Sequence, residues 1–208
     1  MIRNLAKFVI ILSLTCLVIG SGVAGLYGLF RADIARRESA TKQNAIQEVC
    51  PEGTAVDVQA PLAGEALAED AVYAARDANG KIVAYVAQGE AQGYSSLIKV
   101  MVGAVPKNGD LAVYRVVVLS QQETPGLGAN VAEQKSNYTL WEKLFGPSEP
   151  GKMEKLINTF LNQFRGKRPP EFNEIHGITA ATITSNATKQ AVEKALQRIR
   201  QVRENLHE

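Results

Sequence analysis

The chain has 208 residues, enough for one membrane anchor and one domain of ordinary size. Its 23 lysines and arginines against 21 aspartates and glutamates give a formal net charge of +2, which is too balanced to predict a nucleic-acid partner. The 2 histidines and 2 cysteines form no close pairs, so the sequence contains no recognisable zinc, haem or iron–sulfur site. Any redox cofactor is therefore expected to be organic.

The first element is an apolar run at residues 8–30, which contains no charged residue. The run is longer than the roughly 20 residues that a helix needs to cross a bilayer. It is also longer than the apolar region of a cleaved signal peptide. Lysine and arginine occur on both sides of the run, so their count leaves its orientation open. We expect residues 1–30 to form a transmembrane anchor.

A helical stalk is expected next, because residues 32–49 are good helix formers and end just before Cys50 and Pro51. The stretch from there to about residue 70 is rich in alanine, glycine and proline, which indicates irregular structure. We therefore interpret residues 31–70 as stalk and linker, and residues 71–208 as the folded domain.

Two hairpins are then predicted from pairs of apolar, strand-forming runs. Asn79 and Gly80 separate the first pair, and Asn108 and Gly109 separate the second. Asn-Gly is typical of tight hairpin turns, because these residues tolerate the positive φ angles that such turns require. The sequence therefore predicts an antiparallel sheet of at least four strands.

The rest of the domain is predicted to be a loop followed by helices. The sequence ETPGLG at residues 123–128 is too rich in glycine and proline for a helix or strand, and residues 131–145 and 152–164 have helical character. From about Asn186, apolar residues recur at helical spacing: Val192, Ala195, Leu196, Ile199, Val202 and Leu206. The predicted fold class is α+β, an N-terminal transmembrane helix followed by a domain of antiparallel sheet and packed helices.

The segment before the last helix is a candidate site for a phosphate. Residues 179–185, with the sequence TAATITS, have mostly small or hydroxyl-bearing side chains. The backbone N–H groups and the dipole of a helix N-terminus favour an anion, and small side chains allow it to approach. The alternative from the residues alone is that Thr184 or Ser185 caps the helix.

Residues 179–185 resemble the flavinylation motif of the FMN-binding domains of Rnf and Na⁺-translocating NADH:quinone reductase complexes. In that motif a Ser or Thr, a Gly and an Ala precede the threonine that is esterified to the FMN phosphate. Thr182 matches the attachment position, and Thr179, Ala180 and Ala181 precede it. Ala180 stands where the motif has glycine, and His176 stands where it has aspartate.

Two more segments are similar to the same domains. Residues 123–128 are similar to their ETPGLG loop, and residues 93–103 are similar to the strand region that precedes this loop. The three motifs occur in the order found in the family. Together with the apolar N-terminal run, they resemble most closely the RnfG component of Rnf electron transport complexes, and next the NqrC component of the Na⁺-translocating NADH:quinone reductases.

The resemblance implies an FMN bound covalently through a phosphoester to Thr182. It implies no catalytic residue and no metal ligand. It implies that these further residues lie at the cofactor: Thr179, Ala180, Ala181, Thr184, Glu123, Thr124, Leu127 and Gly128. The function implied is that of an electron-carrier subunit of an ion-translocating ferredoxin:NAD oxidoreductase, with no complete active site of its own.

The resemblance also implies a location and partners. The protein is expected in the inner (cell) membrane as a single-pass protein, with its N-terminus in the cytoplasm and its domain on the periplasmic, extracytoplasmic side. Its partners would be the other membrane subunits of an Rnf-type complex and a flavin transferase for maturation. Two alternatives remain open: a membrane-anchored ligand- or partner-binding domain without flavin, and the equivalent NqrC component of the quinone reductase.

Overall fold

The computed structural model describes residues 2–58, 60–107, 109–132 and 159–205. The chain divides into two compact units, Met1–Thr41 and Lys42–Glu208. The first unit is helical, and the second contains the sheet and its covering helices. The domain boundaries expected after residues 30 and 70 stay predictions.

The N-terminal helix α1 runs without a break from Ile2 to Glu48. The predicted span and the predicted stalk are thus parts of one helix. Its most apolar stretch has a mean hydropathy of 2.3, so it is long and apolar enough to cross a membrane. Within the second unit, Ala45 and Ile46 of the last turns are buried, as is Val49 just after them.

Among the described residues, five antiparallel strands form one sheet in which neighbours are adjacent in chain order. They are β1 (Ala55–Val56), β2 (Val72–Arg76), β3 (Ile82–Gln92), β4 (Leu97–Lys107) and β5 (Asp110–Ser120). The prediction of at least four strands in two Asn-Gly hairpins is confirmed. The turn glycines Gly80 and Gly109 have φ angles of +79° and +83°; Asn108 lies outside the described residues. The two-residue β1 falls in the stretch that was expected to be irregular.

The last helix, α3, runs from Thr182 to Asn205 and covers one face of the sheet. It begins four residues before the predicted start at Asn186, so the hydroxyl-rich segment forms its first turn. Contact with the sheet is close at Gly89 of β3, where a Cβ atom would lie 1.9 Å from the carbonyl oxygen of Ala191. A side chain at residue 89 would therefore force α3 away from the sheet.

The segment between the sheet and α3 packs on the same face. It contains the short helix α2 (Thr159–Asn162) and a 3₁₀ turn at Pro169–Glu174. Phe164 packs edge-to-face on Phe160 and on Phe172, with ring centroids 5.7 and 5.2 Å apart. Of the helices predicted at 131–145 and 152–164, residues 133–158 lie outside the described residues, and Thr159–Asn162 is helical as expected. Leu206 also lies outside them.

The opposite face of the sheet carries a second hydrophobic cluster, which the end of α1 covers. Alternate residues of β3 belong to the two clusters, as the two-residue period of a strand requires: Ala84 and Val86 lie in this one, and Ala87 and Ala91 lie under α3. At Gly103 of β4 a Cβ atom would lie 1.9 Å from the carbonyl oxygen of Val49. Glycine thus allows both covering elements to approach the sheet closely.

Candidate functional site

The turn that leads into α3 is closed by the Ser185 side chain. The Ser185 hydroxyl accepts a hydrogen bond from the backbone N–H of Ile178 at 2.9 Å and donates one to the carbonyl of Ala181 at 2.9 Å. The backbone N–H of Ala181 in turn donates to the carbonyl of Ile178 at 3.0 Å. Thr182, the first residue of α3, is exposed on this turn. The turn therefore fixes the backbone on which the Thr182 hydroxyl is presented.

The chain just before this turn is held by Gln163. Its side-chain amide accepts from the backbone N–H of His176 at 2.9 Å and donates to the carbonyl of His176 at 3.1 Å. His176 itself is exposed. The position where the family motif has aspartate is thus anchored through its backbone.

Ala180 adopts a left-handed backbone conformation, with φ +61°. This conformation brings a Cβ atom close to the following carbonyl oxygen and costs an L-residue about 1–2 kcal/mol, whereas glycine adopts it freely. The glycine of the family motif therefore corresponds to a conformational requirement that this chain meets with alanine.

Substitution of Ala180 by glycine is expected to stabilise the protein by about 0.5–1 kcal/mol. Relief of the left-handed strain exceeds the extra backbone entropy of glycine in the unfolded chain. Urea unfolding of the full chain in detergent measures the change, and Ala180→Val, which adds a β-branch at the same φ, should be less stable than wild type. A glycine variant less stable than wild type would contradict the strain argument.

Glu123 is a buried carboxylate that joins three segments of the chain, and it is only 5% exposed. Its Oε1 accepts hydrogen bonds from the backbone N–H groups of Ser95 and Ser96, both at 3.0 Å, and from the Ser96 hydroxyl at 3.2 Å. Its Oε2 accepts from the backbone N–H of Tyr94 at 3.3 Å and from the Thr184 hydroxyl at 2.6 Å. The β3–β4 turn, the ETPGLG loop and the first turn of α3 therefore meet at one side chain.

The ionisation of Glu123 follows from these contacts. Burial alone raises the pKa of a carboxyl group, but the hydrogen bonds from Thr184, Ser95 and Ser96 outweigh it and lower the pKa of Glu123 below its ordinary value. The side chain is thus a carboxylate at neutral pH. A negative charge bound to the first turn of α3 is also favoured by the helix dipole.

Two glycines make room for the Glu123 carboxylate. At Gly128 a Cβ atom would lie 2.7 Å from the Thr184 hydroxyl oxygen and 2.9 Å from Glu123 Oε2. At Gly93 a Cβ atom would lie 2.6 Å from Glu123 Oε1. These contacts explain why glycine occupies both positions, because any side chain would push the carboxylate from its hydrogen-bond donors.

Four exposed hydrophobic side chains belong to residues that contact Glu123 or stand next in the chain to such residues, and we call them the apolar rim. In the described part of residues 42–205 these are the large hydrophobic side chains that are exposed: Tyr94 (71%), Leu97 (40%), Leu127 (41%) and Ile183 (56%). Tyr94 bonds to Glu123 through its own backbone, and each of the other three is the immediate neighbour of a residue that contacts Glu123. Large apolar side chains exposed at residues next to one buried carboxylate make this part of the domain a candidate binding surface.

The predicted site residues fall into two groups in the structure. Glu123, Gly128 and Thr184 are buried and in mutual contact. Ala181 is also buried, and the others are exposed: Thr179, Ala180, Thr182, Thr124 and Leu127. The alternative that Thr184 or Ser185 caps α3 is wrong, because α3 begins at Thr182 and the two hydroxyls donate to Glu123 and to the carbonyl of Ala181.

Sequence reasoning missed the residues that bind Glu123 at the β3–β4 turn. Ser95 and Ser96 were not predicted as its partners, although they lie within the motif at residues 93–103. The nearest signal was Gly93 at the start of this motif, since a glycine shortly before two serines is typical of a turn with exposed N–H groups.

A buried carboxylate, a helix start with an exposed hydroxyl and an apolar rim together form a candidate ligand site on an α+β domain. The chain belongs to the FMN-binding domain family, which matches residues 93–197. That stretch begins at the β3–β4 turn and ends within α3, so it includes every residue of the site described above.

Among characterised proteins, the chain is 25% identical over 197 residues to the G subunit of the proton-translocating ferredoxin:NAD⁺ oxidoreductase complex of Clostridium ljungdahlii, covering 90% of this chain and 88% of that protein. It is 35% identical over 115 residues to the G subunit of the ion-translocating oxidoreductase complex of Vibrio cholerae, covering 55% of this chain and 48% of that protein. Among solved structures, the NqrC protein of Shewanella oneidensis matches with a TM-score of 0.42 and 20% identity, over 74% of this chain and 71% of that one.

Proposed function

We propose that the protein is the flavin-bearing electron-carrier subunit of an ion-translocating oxidoreductase of the ferredoxin:NAD type, with FMN attached by a phosphoester to Thr182. The observation that carries the proposal is the exposed Thr182 hydroxyl at the first residue of α3, in a domain whose exposed apolar rim borders the same helix turn. Membership of the FMN-binding domain family supports the choice of cofactor.

The start of α3 suits a phosphate ester. The first N–H groups of a helix have no partner within it and favour an anion. Residues 177–188 contain neither lysine nor arginine, so the backbone is the positive partner that this segment offers. The Glu123 carboxylate is bound to the same turn through Thr184 and would repel a free phosphate. An ester bond to Thr182 would hold the phosphate despite this repulsion.

The apolar rim suits a flat aromatic ring. Tyr94 and Ile183 are the most exposed of its four members, and covering them with an isoalloxazine ring would remove apolar surface from water. When bound, FMN supplies reversible electron transfer, and the protein supplies its position and electrostatic surroundings. The buried Glu123 carboxylate would contribute a negative charge to the electrostatic surroundings of the ring. Thr124 and Leu127 of the ETPGLG loop would border the ring.

The apolar part of α1 would anchor the domain in the membrane. The matched proteins of Clostridium ljungdahlii and Vibrio cholerae are subunits of ion-translocating complexes. We propose the same setting for this chain: an inner-membrane location with the N-terminus in the cytoplasm, an extracytoplasmic domain, other membrane subunits as electron-transfer partners, and a flavin transferase that forms the ester.

Mass spectrometry of the full chain, produced together with a flavin transferase, tests the proposal. The expected result is a single added FMN on the proteolytic peptide that contains Thr182. The control is the chain produced without the transferase, which should lack the added mass. An unmodified, colourless chain from the transferase-containing cells would overturn the covalent assignment and favour a binding domain without flavin.

A further inference from the structure

A cavity of about 250 Å³ lies in the second unit beside the open edge of β3. Pairing of β2 with β3 ends at Val72 and Ala87, whereas β3 continues to Gln92. The edge of β3 beyond Ala87 is therefore not covered by β2. The cavity is lined by Glu69, Asp70, Gln88, Glu90 and Arg198.

The walls of this cavity are held together by Arg198 and Lys99. The Arg198 guanidinium donates hydrogen bonds to the backbone carbonyls of Glu69 at 2.5 Å and Gln88 at 2.7 Å. The Lys99 ammonium forms a hydrogen bond and ion pair with the Glu69 carboxylate. That contact lowers the pKa of Glu69, which is thus ionised at neutral pH. The lining has three carboxyl groups against one guanidinium, and one of the three, Glu69, is already paired with Lys99.

The side-chain amide of Gln88 is buried without a hydrogen bond. Gln88 is 2% exposed, and neither the oxygen nor the nitrogen of its amide has a hydrogen-bond partner among the described residues. Among these residues Glu90 Oε2 also has no hydrogen bond, and its ion-pair partner, the Lys99 ammonium, lies 3.9 Å away. Buried polar groups are nearly always hydrogen-bonded, so the two amide atoms of Gln88 indicate a partner outside the chain.

The position of Gln88 in β3 strengthens this point. Ala84 and Val86 precede it on the same face of the strand and belong to the hydrophobic cluster under α1. Its partner across the sheet is the buried Met101. An apolar residue would extend this cluster at residue 88, whereas an amide there loses its hydrogen bonds to water on burial. The amide is therefore suited to a ligand rather than to packing.

We propose that the cavity binds a small molecule that carries a primary ammonium next to an oxygen acceptor. Two of the three atoms without a hydrogen bond, Gln88 Oε1 and Glu90 Oε2, are acceptors, and one ammonium has three N–H donors to give them. The third, Gln88 Nε2, donates and would bind the neighbouring oxygen of the ligand. With Lys99 counted, three carboxyl groups face two cationic side chains, and this excess of one negative charge favours a cation. This inference does not depend on flavin binding.

Ethanolamine is the first probe, titrated into the full chain in detergent micelles with ¹⁵N-labelled glutamine. We expect saturable shifts of the Gln88 side-chain amide signals with a Kd on the order of 1–10 mM, as suits a ligand of few atoms. Tetramethylammonium has the charge without N–H donors and should shift nothing, and ethanol lacks the charge and should also fail. Glycinamide, which resembles a peptide N-terminus, distinguishes a peptide source of the ammonium from an amino alcohol.

Two variants and one control complete the experiment. Calorimetric titration of Gln88→Leu and Glu90→Gln should give affinities for the bound probe at least tenfold weaker than wild type, and Glu204→Gln, at an exposed position of α3, should bind as wild type does. Circular dichroism establishes that each variant is folded. The proposal is overturned if neither ethanolamine nor glycinamide gives a saturable shift, or if the Gln88 amide shows contacts only with long-lived water.

Discussion

Substitution of Thr182 by alanine is expected to abolish covalently bound flavin. The variant lacks the only atom through which the proposed ester can form at this position, while the side chain is exposed at the first residue of α3, so the fold should change little in stability. The measurement is flavin fluorescence of the protein band after acid denaturation and electrophoresis, with wild type and variant produced beside the same transferase. Wild type should fluoresce and Thr182→Ala should not.

Two matched variants make this experiment specific. Thr182→Ser keeps a hydroxyl at the same backbone position and should retain the fluorescent band. Thr179→Ala removes another exposed hydroxyl from the same segment and should also retain it. Thr184 is a poor substitute as attachment point, because its hydroxyl is buried and donates to Glu123. A band that remains fluorescent in Thr182→Ala would place the flavin elsewhere and refute the ester to Thr182.

The sheet was predictable because its signals are local. The turns at Gly80 and Gly109 have the positive φ angles that Asn-Gly pairs indicate, and apolar runs on either side set the strands. The start of α3 was placed four residues too late, because its first turn, TITS, has hydroxyl side chains that favour caps in isolation. In the folded domain the Ser185 hydroxyl donates to the carbonyl of Ala181 one turn earlier, and the Thr184 hydroxyl donates to Glu123, a tertiary contact that overrides the local preference.

The arrangement around Glu123 could not be predicted, since it depends on pairs of residues far apart in the chain. Glu123 meets Ser95 and Ser96 across the end of the sheet and Thr184 on α3. No periodic pattern in the sequence predicts these long-range contacts. The motif resemblance selected the right segments, but it assigned Glu123 to the edge of the flavin. The structure adds that its carboxylate is directed inward at hydrogen-bond donors, while its place at the flavin stays a prediction.

Glu123→Gln is expected to destabilise the protein by about 3 kcal/mol at neutral pH. An amide replaces a carboxylate that accepts from backbone N–H groups and the Thr184 hydroxyl. The amide nitrogen is a donor and would face donors, and leaving buried groups unpaired costs about 1–3 kcal/mol each. Urea unfolding measures the change. Glu174→Gln is the matched control: Glu174 is 69% exposed in a surface ion pair with Lys167, so its loss should cost less than about 1 kcal/mol.

The same variant should also change how stability depends on pH. The pKa of Glu123 is lower in the folded protein than in the unfolded chain, so its contribution is fully present above the unfolded value of about 4.3 and is lost as pH falls through the folded value. The difference in stability between wild type and Glu123→Gln should therefore be constant from pH 7 to about 5 and shrink below that. Other carboxyl groups are common to both proteins, so they cancel in this difference. A difference that stays constant into acid would mean that the charge of Glu123 contributes nothing to stability. The stability lost in Glu123→Gln would then come from replacing the carboxyl group with an amide, whatever its charge.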